Sequence, residues 1–333
     1  MNKKSFEIQF NWVFVLVVGA AILLFFTAVL VKQKDVSETT TKNTILKSIE
    51  AIIEGSSVST DTTNIVNMPN SNIEVSCGRV SLGKASKQYQ NLILFAPSSV
   101  KGSKLITQTR GFNIPYKSAN LLFMTSQQAR YILTGNSDFA KEINKSLPKD
   151  LGKEFHESIP TTTNQNNYKV KFILFDNLNV NSIDISHFDK MPDLDVTAIK
   201  INGDDEKGTI EFFQKDDGLW VSKGNSAYIG EAALLGAIYS DTKELFECNM
   251  QNAYNRLELV TDVLKDRTIK LRDDTTIRQE CIQIYNNALA QINRIEAATS
   301  SFDTTSVNNI ASASKDLSLQ NKEAQKFSCP LIY

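Results

Sequence analysis

The 333-residue sequence predicts an α+β protein with an N-terminal transmembrane helix, a mixed α/β sheet domain and a C-terminal bundle of about three helices. Three observations predict this class. A run without charged residues covers 8–31, short apolar segments separated by turn residues fill 73–240, and apolar residues recur at helical spacing after 241. The predicted segments are a cytoplasmic N-terminus (1–9), a transmembrane helix (10–31), a stalk helix (32–54), a linker (55–72), the sheet domain (73–240) and the helical domain (241–333).

The charge-free run at 8–31 is typical of a permanent membrane anchor. Roughly 20 apolar residues span the hydrocarbon core of a bilayer, so the run is long enough. A cleavable signal peptide has an apolar region of only about 7–15 residues, followed by a small-x-small cleavage site. No such site precedes Lys32, and Trp12 lies where an indole favours the interface. We therefore expect the lipid bilayer to be a partner of residues 10–31.

The orientation of this anchor depends on the cysteines, because the flanking charges are nearly balanced. Lys3 and Lys4 precede the span, and Lys32 and Lys34 follow it. All four cysteines lie after the span, and none has C-x-x-C spacing. An even number suits two disulfides in an oxidising compartment, although four buried thiols are the alternative. We expect a cell-membrane protein with a cytoplasmic N-terminus and with the bulk of the chain extracellular.

A second interpretation of the N-terminus is a type IV pilin leader. Lys4-Ser5-Phe6-Glu7 resembles such a leader, but the small residue is Ser5 instead of the usual Gly or Ala. The acid, Glu7, falls at the second position after such a cut, where the bacterial pattern has it at the fifth. Apolar residues at helical spacing in 45–53 either extend the anchor helix as a filament spine or form a stalk helix that lies on the domain.

The sheet domain is predicted from short apolar segments. Small polar residues at 55–72 indicate a linker or an exposed loop. Ser137 and Asp138 cap a predicted helix at 137–155 that Pro148 ends or kinks, and with its flanking strands it forms a βαβ-like element. Gly, Asn and Asp between the later segments indicate hairpin turns. The predicted strands are 73–75, 91–96, 120–125, 169–175, 196–201, 209–214, 219–222 and 234–240.

Three amphipathic helices are predicted after Asp241, which we expect to be the N-cap of a capping box with Glu244 at N3. Their apolar stripes contain Phe246, Met250, Ala253, Leu257, Val260 and Leu264; Ile277, Cys281, Ile284, Ala288, Ile292 and Ile295; and Val307, Ile310, Ser314, Leu317 and Ala324. A hairpin turn near Asp273 would leave Cys248 and Cys281 roughly 16 Å apart, too far for a disulfide. A third helix that returns beside the second brings the C-terminus close to Cys281. We therefore predict the pairs Cys281–Cys329 and Cys77–Cys248.

The composition excludes several classes of function. With 36 basic and 37 acidic residues the chain has no electrostatic footprint of a nucleic-acid partner. Two histidines make a His-built zinc site improbable, and a Cys–His nucleophile pair is disfavoured because the thiols look structural. There is no G-x-G-x-x-G, P-loop, H-E-x-x-H or G-x-S-x-G motif. We expect no enzyme activity and no cofactor.

Acidic residues at predicted turns are the best candidates for a metal site. They are Asp193, Asp195, Asp204, Asp205, Glu206, Asp216 and Asp217. Clustered carboxylates can bind calcium, but Asp is also favoured at turns for backbone reasons, and we prefer the second interpretation. Arg110, Arg130, Tyr131 and Trp220 flank or occupy strands, where they either bind an anion or a glycan or form ion pairs at the rim. A glycosylation sequon, Asn144-Lys145-Ser146, falls inside a predicted helix.

Four stretches carry a resemblance to a known family. KKSFEIQFNWVFVLVVGAAILLFF at the start, NLLFMTSQQARYI, LLGAIYSDTKELFECNMQNAYNRL and the closing SCPLIY resemble single-pass membrane proteins of small-genome archaea. The resemblance implies a membrane-anchored surface protein and brings no catalytic residues. The sequence thus predicts a non-catalytic interaction or structural module with a protein or envelope partner. A pilin-like filament subunit and an extracellular enzyme without a recognisable motif are the alternatives.

Overall fold

The computed structural model describes residues 16–17, 20, 23–27, 42–55, 59–89, 92–160 and 167–333. Within them the chain is α+β, with two six-stranded sheets and a C-terminal set of helices. No helix in these ranges is both long enough and apolar enough to cross a membrane. The predicted cytoplasmic segment (1–9) lies outside the described residues, and so does most of the predicted transmembrane helix (10–31).

The first sheet is antiparallel except at one edge. Its strands are β1 (Thr63–Ser76), β2 (Arg79–Leu82), β3 (Ala85–Gln88), β4 (Leu94–Phe95), β5 (Ser99–Asn113) and β6 (Lys117–Ser126). They lie in the order β3-β2-β1-β5-β6-β4, and only β4 and β6 are parallel. Along β6 the buried side chains alternate between two cores: Leu121 and Phe123 face one, Leu122 and Met124 the other. Both faces of this sheet are therefore covered.

The second sheet is mixed. Its strands are β7 (Ala129–Thr134), β8 (Lys153–His156), β9 (Lys169–Leu174), β10 (Val196–Gly203), β11 (Lys207–Asp216) and β12 (Leu219–Ile229), in the order β12-β11-β10-β9-β7-β8. The four strands from β8 to β10 are parallel, and β10, β11 and β12 form an antiparallel meander. The turn between β11 and β12 places Asp217 and Gly218 at φ 51° and 78°. Such left-handed pairs join hairpins because they match the strand twist.

The predicted βαβ element exists, but with different strands. Helix α2 (Asp138–Ser146) connects β7 to β8, which are parallel, and the Ser137 side chain caps it by accepting from the Ala140 N–H. The helix ends before Pro148, which is one of the two outcomes predicted for this proline, and β8 occupies the end of the segment 137–155. The predicted strands 120–125 and 169–175 lie in different sheets. The sequence prediction missed β7, which follows β6 after a two-residue turn and changes sheets.

The segment 234–240 is a helix, so its prediction as a strand was wrong. Helix α3 (Gly230–Tyr239) buries seven of its ten residues, among them Leu234, Leu235 and Ile238. A helix that is buried on all sides has no polar face and therefore no 3.6-residue period. The capping box was also wrong, because Thr242 caps the next helix, α4 (Lys243–Asp273), by accepting from the Leu245 N–H.

The last two helices are α5 (Gln279–Ala298) and α6 (Thr304–Lys326). The predicted stripes are buried in α4, α5 and α6, except that Val260 is half-buried and Ile277 precedes α5. The stripes share one core with the inner faces of both sheets and with α3. The predicted domains 73–240 and 241–333 therefore do not have separate cores.

The N-terminal part of the described chain lies on the first sheet. Helix α1 (residues 42–55) buries Ile45, Leu46 and Ile49 against this sheet in a second core. Residues 63–72 belong to β1, so the prediction of a linker there was wrong. Pairing with β5 satisfies the backbone of this polar segment while most of its side chains face solvent. A third core covers the outer face of the second sheet beneath three 3₁₀ turns between residues 180 and 195.

Candidate functional site

Two lysines of the central strand β9 form the most unusual polar feature of the described chain. Lys169 and Lys171 are 4% and 3% exposed, on a strand where all six residues are buried. The ammonium group of Lys169 lies 2.9 Å from Oδ2 of Asp241, 3.2 Å from Oδ1 of Asp195 and 3.2 Å from the Leu194 carbonyl oxygen. Three oxygens thus match its three donors, which a buried charge requires.

Asp241 lies between α3 and α4 and connects this lysine to the first sheet. Its two carboxylate oxygens accept from the Ser98 N–H at 3.0 Å, and Oδ2 also accepts from the Ser98 hydroxyl at 2.7 Å. Burial favours the protonated acid, but Lys169 and the Ser98 donors outweigh it and hold the pKa of Asp241 below its ordinary value. Asp241 is therefore a buried ion-pair residue, and the hydroxyl of Thr242 takes over the helix cap.

Lys171 has a different environment, because its partners are carbonyl groups. Its ammonium group donates to the carbonyl oxygens of Ala237, at 2.7 Å, and Ser240, so it caps the C-terminal end of α3. It also lies 5.8 Å from the centre of the Phe212 ring. Burial lowers the pKa of Lys171 to about 7, with Asp241 opposing and Lys169 adding to the shift.

This lysine cluster joins segments that are distant in the sequence. Lys169 and Lys171 connect β9, the 3₁₀ turn Asp193–Asp195, the junction of α3 and α4, and Ser98 just before β5. The two ammonium groups and the Asp241 carboxylate are bonded inside the protein, although Ser98 and Leu194 beside them are exposed. A substrate has no path to the Lys171 amine. The arrangement holds the two sheets and the helices together, and its geometry does not favour catalysis.

The structure contains the two predicted disulfides. Cys77 pairs with Cys248, with Cα atoms 6.1 Å apart, and Cys281 pairs with Cys329, with Cα atoms 5.8 Å apart. The first joins the β1–β2 turn to α4, and the second joins the start of α5 to the chain after α6. The alternative of four buried thiols is wrong, because no cysteine is free. A Cys–His nucleophile pair is therefore not available to His156 or His187.

The acidic residues proposed for calcium do not converge. Within the described ranges, no group of three or more His, Cys, Asp or Glu side chains is arranged to hold a metal ion. Asp193 and Asp195 pair with Lys215 and Lys169. Asp204 accepts from the N–H groups of Glu206 and Lys207 in the β10–β11 turn, and Asp216 lies 4.0 Å from Lys223. Asp205 lies in the β10–β11 turn, and Asp217 lies in the β11–β12 turn. The acidic residues therefore form ion pairs or lie in turns.

The arginines also have internal partners. Arg130, 7% exposed, donates to Glu154 and lowers the pKa of that carboxyl, and His156 lies 3.4 Å from the same group. Arg110 pairs with Asp61 and donates to the Ser146 carbonyl oxygen at the end of α2.

The two aromatic candidates, Tyr131 and Trp220, also have internal contacts, and the sequon asparagine Asn144 is half-buried. The Tyr131 hydroxyl bonds to Thr125, and Trp220 packs edge-on against Phe172 in the third core. The Asn144 sequon lies on α2 and is half-buried.

The described surface also has a groove between α1 and β1. It encloses about 360 Å³ and is lined mainly by apolar side chains, among them Ile49, Ile52, Val66 and Leu105. Ligand sites commonly have volumes of roughly 300–1,000 Å³ and apolar walls. The groove exists because 63–72 is a strand instead of a linker, so the sequence analysis did not anticipate it.

Comparisons of the chain with family models, curated proteins and solved structures gave no match. The resemblance to single-pass archaeal proteins therefore remains a prediction.

Proposed function

We propose that this protein is a single-pass membrane-anchored protein whose folded part lies outside the cell and acts as a non-catalytic binding or structural module. The observation that carries the proposal is the pairing of all four cysteines in two disulfides. Disulfides persist in oxidising compartments and are rare in the cytosol. The charge-free run at 8–31 supplies the length that an anchor requires.

Two features of the fold support a non-catalytic role. The charged groups of the lysine cluster are bonded to one another or to backbone carbonyls, so the best-defined polar cluster has a structural task. The first sheet is also tied to the helices by the Cys77–Cys248 disulfide and by the hydrogen bonds between Ser98 and Asp241. Such reinforcement suits a domain that stays folded at a cell surface and contacts a protein or envelope partner.

Labelling of intact cells with a membrane-impermeant amine reagent tests the proposed topology. Lys149 and Lys190 are exposed, so mass spectrometry should find both modified on intact cells. Lys3 and Lys4 should be modified only after lysis, because the proposal places them in the cytoplasm. Labelling of Lys3 and Lys4 on intact cells, with Lys149 and Lys190 protected until lysis, would refute the proposed orientation.

The pilin-like alternative is weakened by the position of α1. Its apolar residues Ile45, Leu46 and Ile49 are buried against the first sheet of the same chain, which favours the stalk helix on the domain over a bare filament spine. Intact-mass measurement distinguishes the two proposals. Cleavage between Ser5 and Phe6 would favour the pilin-like subunit, and an intact N-terminus favours the anchored module.

A further inference from the structure

The last three residues of α2 are the glycosylation sequon Asn144-Lys145-Ser146. The helix packs Ala140 and Ile143 into the core that it shares with both sheets. Asn144 stands at the edge of this buried stripe and is half-buried, and Lys145 is exposed. No other asparagine in the sequence begins an Asn-x-Ser/Thr triplet. The chain therefore has a single sequon, and it reaches the surface of the fold.

The side-chain amide of Asn144 has no structural task in the folded protein. It makes no hydrogen bond to another described residue, and neither of its polar atoms is buried. Asn249 differs, because both ends of its amide are bonded inside the protein, to the Leu94 N–H and to the Leu245 carbonyl oxygen. A sugar attached to Nδ2 of Asn144 would therefore break no hydrogen bond of the fold.

The third residue of the sequon is held by the fold. The Ser146 hydroxyl donates to the Ile143 carbonyl oxygen at 2.9 Å, and the Ser146 carbonyl oxygen accepts from Gln108 at 2.8 Å and from Arg110 at 3.0 Å, both on β5. A glycosyl transferase needs this hydroxyl as well as the acceptor amide. An isolated helix of nine residues is marginal in water. The sequon is therefore accessible before α2 packs against β5, and not afterwards.

We propose that Asn144 carries one N-linked oligosaccharide, transferred from a lipid-linked sugar phosphate donor before α2 packs. Nδ2 of Asn144 forms a bond to the anomeric carbon of the sugar, and the bond from that carbon to the phosphate oxygen breaks. The lipid phosphate leaves with the electron pair, and the amide gives up one proton. This inference rests on the proposed function, because it needs the folded part of the chain to lie outside the cell.

Mass spectrometry of the full-length protein from the membrane fraction of its native cells tests this site. Peptides that cover 138–151 should carry one oligosaccharide on Asn144 in most copies of the chain. Asn136 is an internal control, because it is exposed but is followed by Ser137 and Asp138 and so begins no sequon. It should carry no sugar.

Two matched variants at Ser146 separate sequon-directed transfer from other modification. Ser146→Ala keeps the acceptor amide but removes the sequon, so the glycosylated fraction should fall at least tenfold. Ser146→Thr keeps the sequon and should retain the wild-type fraction. If circular dichroism shows that the Ser146→Ala variant is unfolded, Asn144→Gln removes the acceptor at a side chain without an internal partner and should also abolish the modification.

The outcomes separate this inference from the proposed function. Unmodified Asn144 in a protein whose Lys149 and Lys190 react on intact cells would overturn the glycosylation site and leave the proposed orientation intact. Unmodified Asn144 together with Lys149 and Lys190 that react only after lysis would overturn both. A sugar on Asn144 that persists unchanged in the Ser146→Ala variant would also overturn the site, because it would not depend on the sequon.

Discussion

The buried Lys171 should give the protein a stability that rises with pH. Its pKa of about 7 in the folded state compares with an ordinary value of 10.5. The unfolded chain therefore holds one more proton than the folded chain between these two values. Stability rises with pH wherever the unfolded state binds more protons. The penalty for the buried lysine is complete below pH 7 and disappears above about pH 10.5.

The magnitude follows from the size of the shift. One pKa unit is worth 1.36 kcal/mol, so the full shift corresponds to about 5 kcal/mol. Between pH 7.5 and 9.5 the free energy of unfolding should rise by about 2–3 kcal/mol from this residue alone. Other groups with altered pKa values mostly act elsewhere. Tyr116 and Tyr168, with pKa values of about 12, contribute above pH 10, and the carboxyl groups of Glu154 and Asp241 contribute in acid.

Urea unfolding of the wild type and the Lys171→Met variant at pH 7.5, 8.5 and 9.5 measures this effect. Methionine has a similar length without the charge, so the variant should lose this rise of about 2–3 kcal/mol over the range. The stability at a single pH is a poorer test, because the carbonyl groups of Ala237 and Ser240 lose their donor at a cost of about 1–3 kcal/mol each. Lys153, whose pKa is also lowered by burial, leaves the same residual slope in both proteins.

Lys200→Met is the matched control, because this half-buried lysine lies on the neighbouring strand β10. It should retain the wild-type pH dependence. An equal slope in the wild type and the Lys171→Met variant would show that Lys171 stays charged in the folded protein, and the explanation of the lysine cluster would fail.

Three further predictions concern stability and redox chemistry. Asp241→Asn should lower the free energy of unfolding by about 3–5 kcal/mol in chemical denaturation, because the buried Lys169 then keeps only one of its two carboxylate partners, Asp195. Asp216→Asn is the control: Asp216 belongs to an exposed ion pair, so this change should alter the free energy of unfolding by less than about 0.5 kcal/mol. Graded reduction with a phosphine should open Cys77–Cys248 first, because Cys77 is exposed whereas Cys281 and Cys329 are 1% and 6% exposed. Alkylation and mass spectrometry of the freed thiols measure the order, and simultaneous opening of both disulfides would contradict it. Gly218→Ala should destabilise the folded protein by about 1–2 kcal/mol, because the left-handed backbone disfavours a Cβ even though the space around it is open. Gly218→Asn should recover part of this loss. Thermal unfolding that showed no difference between the Ala variant and the wild type would refute the argument.

Helical geometry was the most informative part of the sequence. The period of the stripes after Asp241 places α4 and α5 as a hairpin, and the 1.5 Å rise per residue then separates Cys248 from Cys281. That distance excludes a Cys248–Cys281 pair, and a third helix that returns beside the second brings the C-terminus close to Cys281. Together these two steps select the two disulfides that the structure contains. Local rules succeeded here because Cys248 and Cys281, whose separation is the constraint, both lie on regular helices.

The errors arose where tertiary contacts decide the local structure. Nothing within 234–240 distinguishes a buried strand from a helix that is packed on all sides, since both are uniformly apolar. The polar segment 63–72 becomes a strand because β5 supplies its hydrogen-bond partners. Asp241 looks like a helix cap until Lys169, 72 residues earlier in the chain, is seen beside it. The signal that was available was the pair of lysines within the apolar KVKFILF segment.

The central claim of this account is a folded domain held by two disulfides outside the membrane. It is tested most directly by disulfide mapping of the full-length protein in its native cells, with N-ethylmaleimide added before lysis to trap every free thiol. The account predicts that non-reduced peptides from the membrane fraction link Cys77 to Cys248 and Cys281 to Cys329, with no cysteine alkylated. Four alkylated cysteines would place the folded chain in a reducing compartment and contradict the claim.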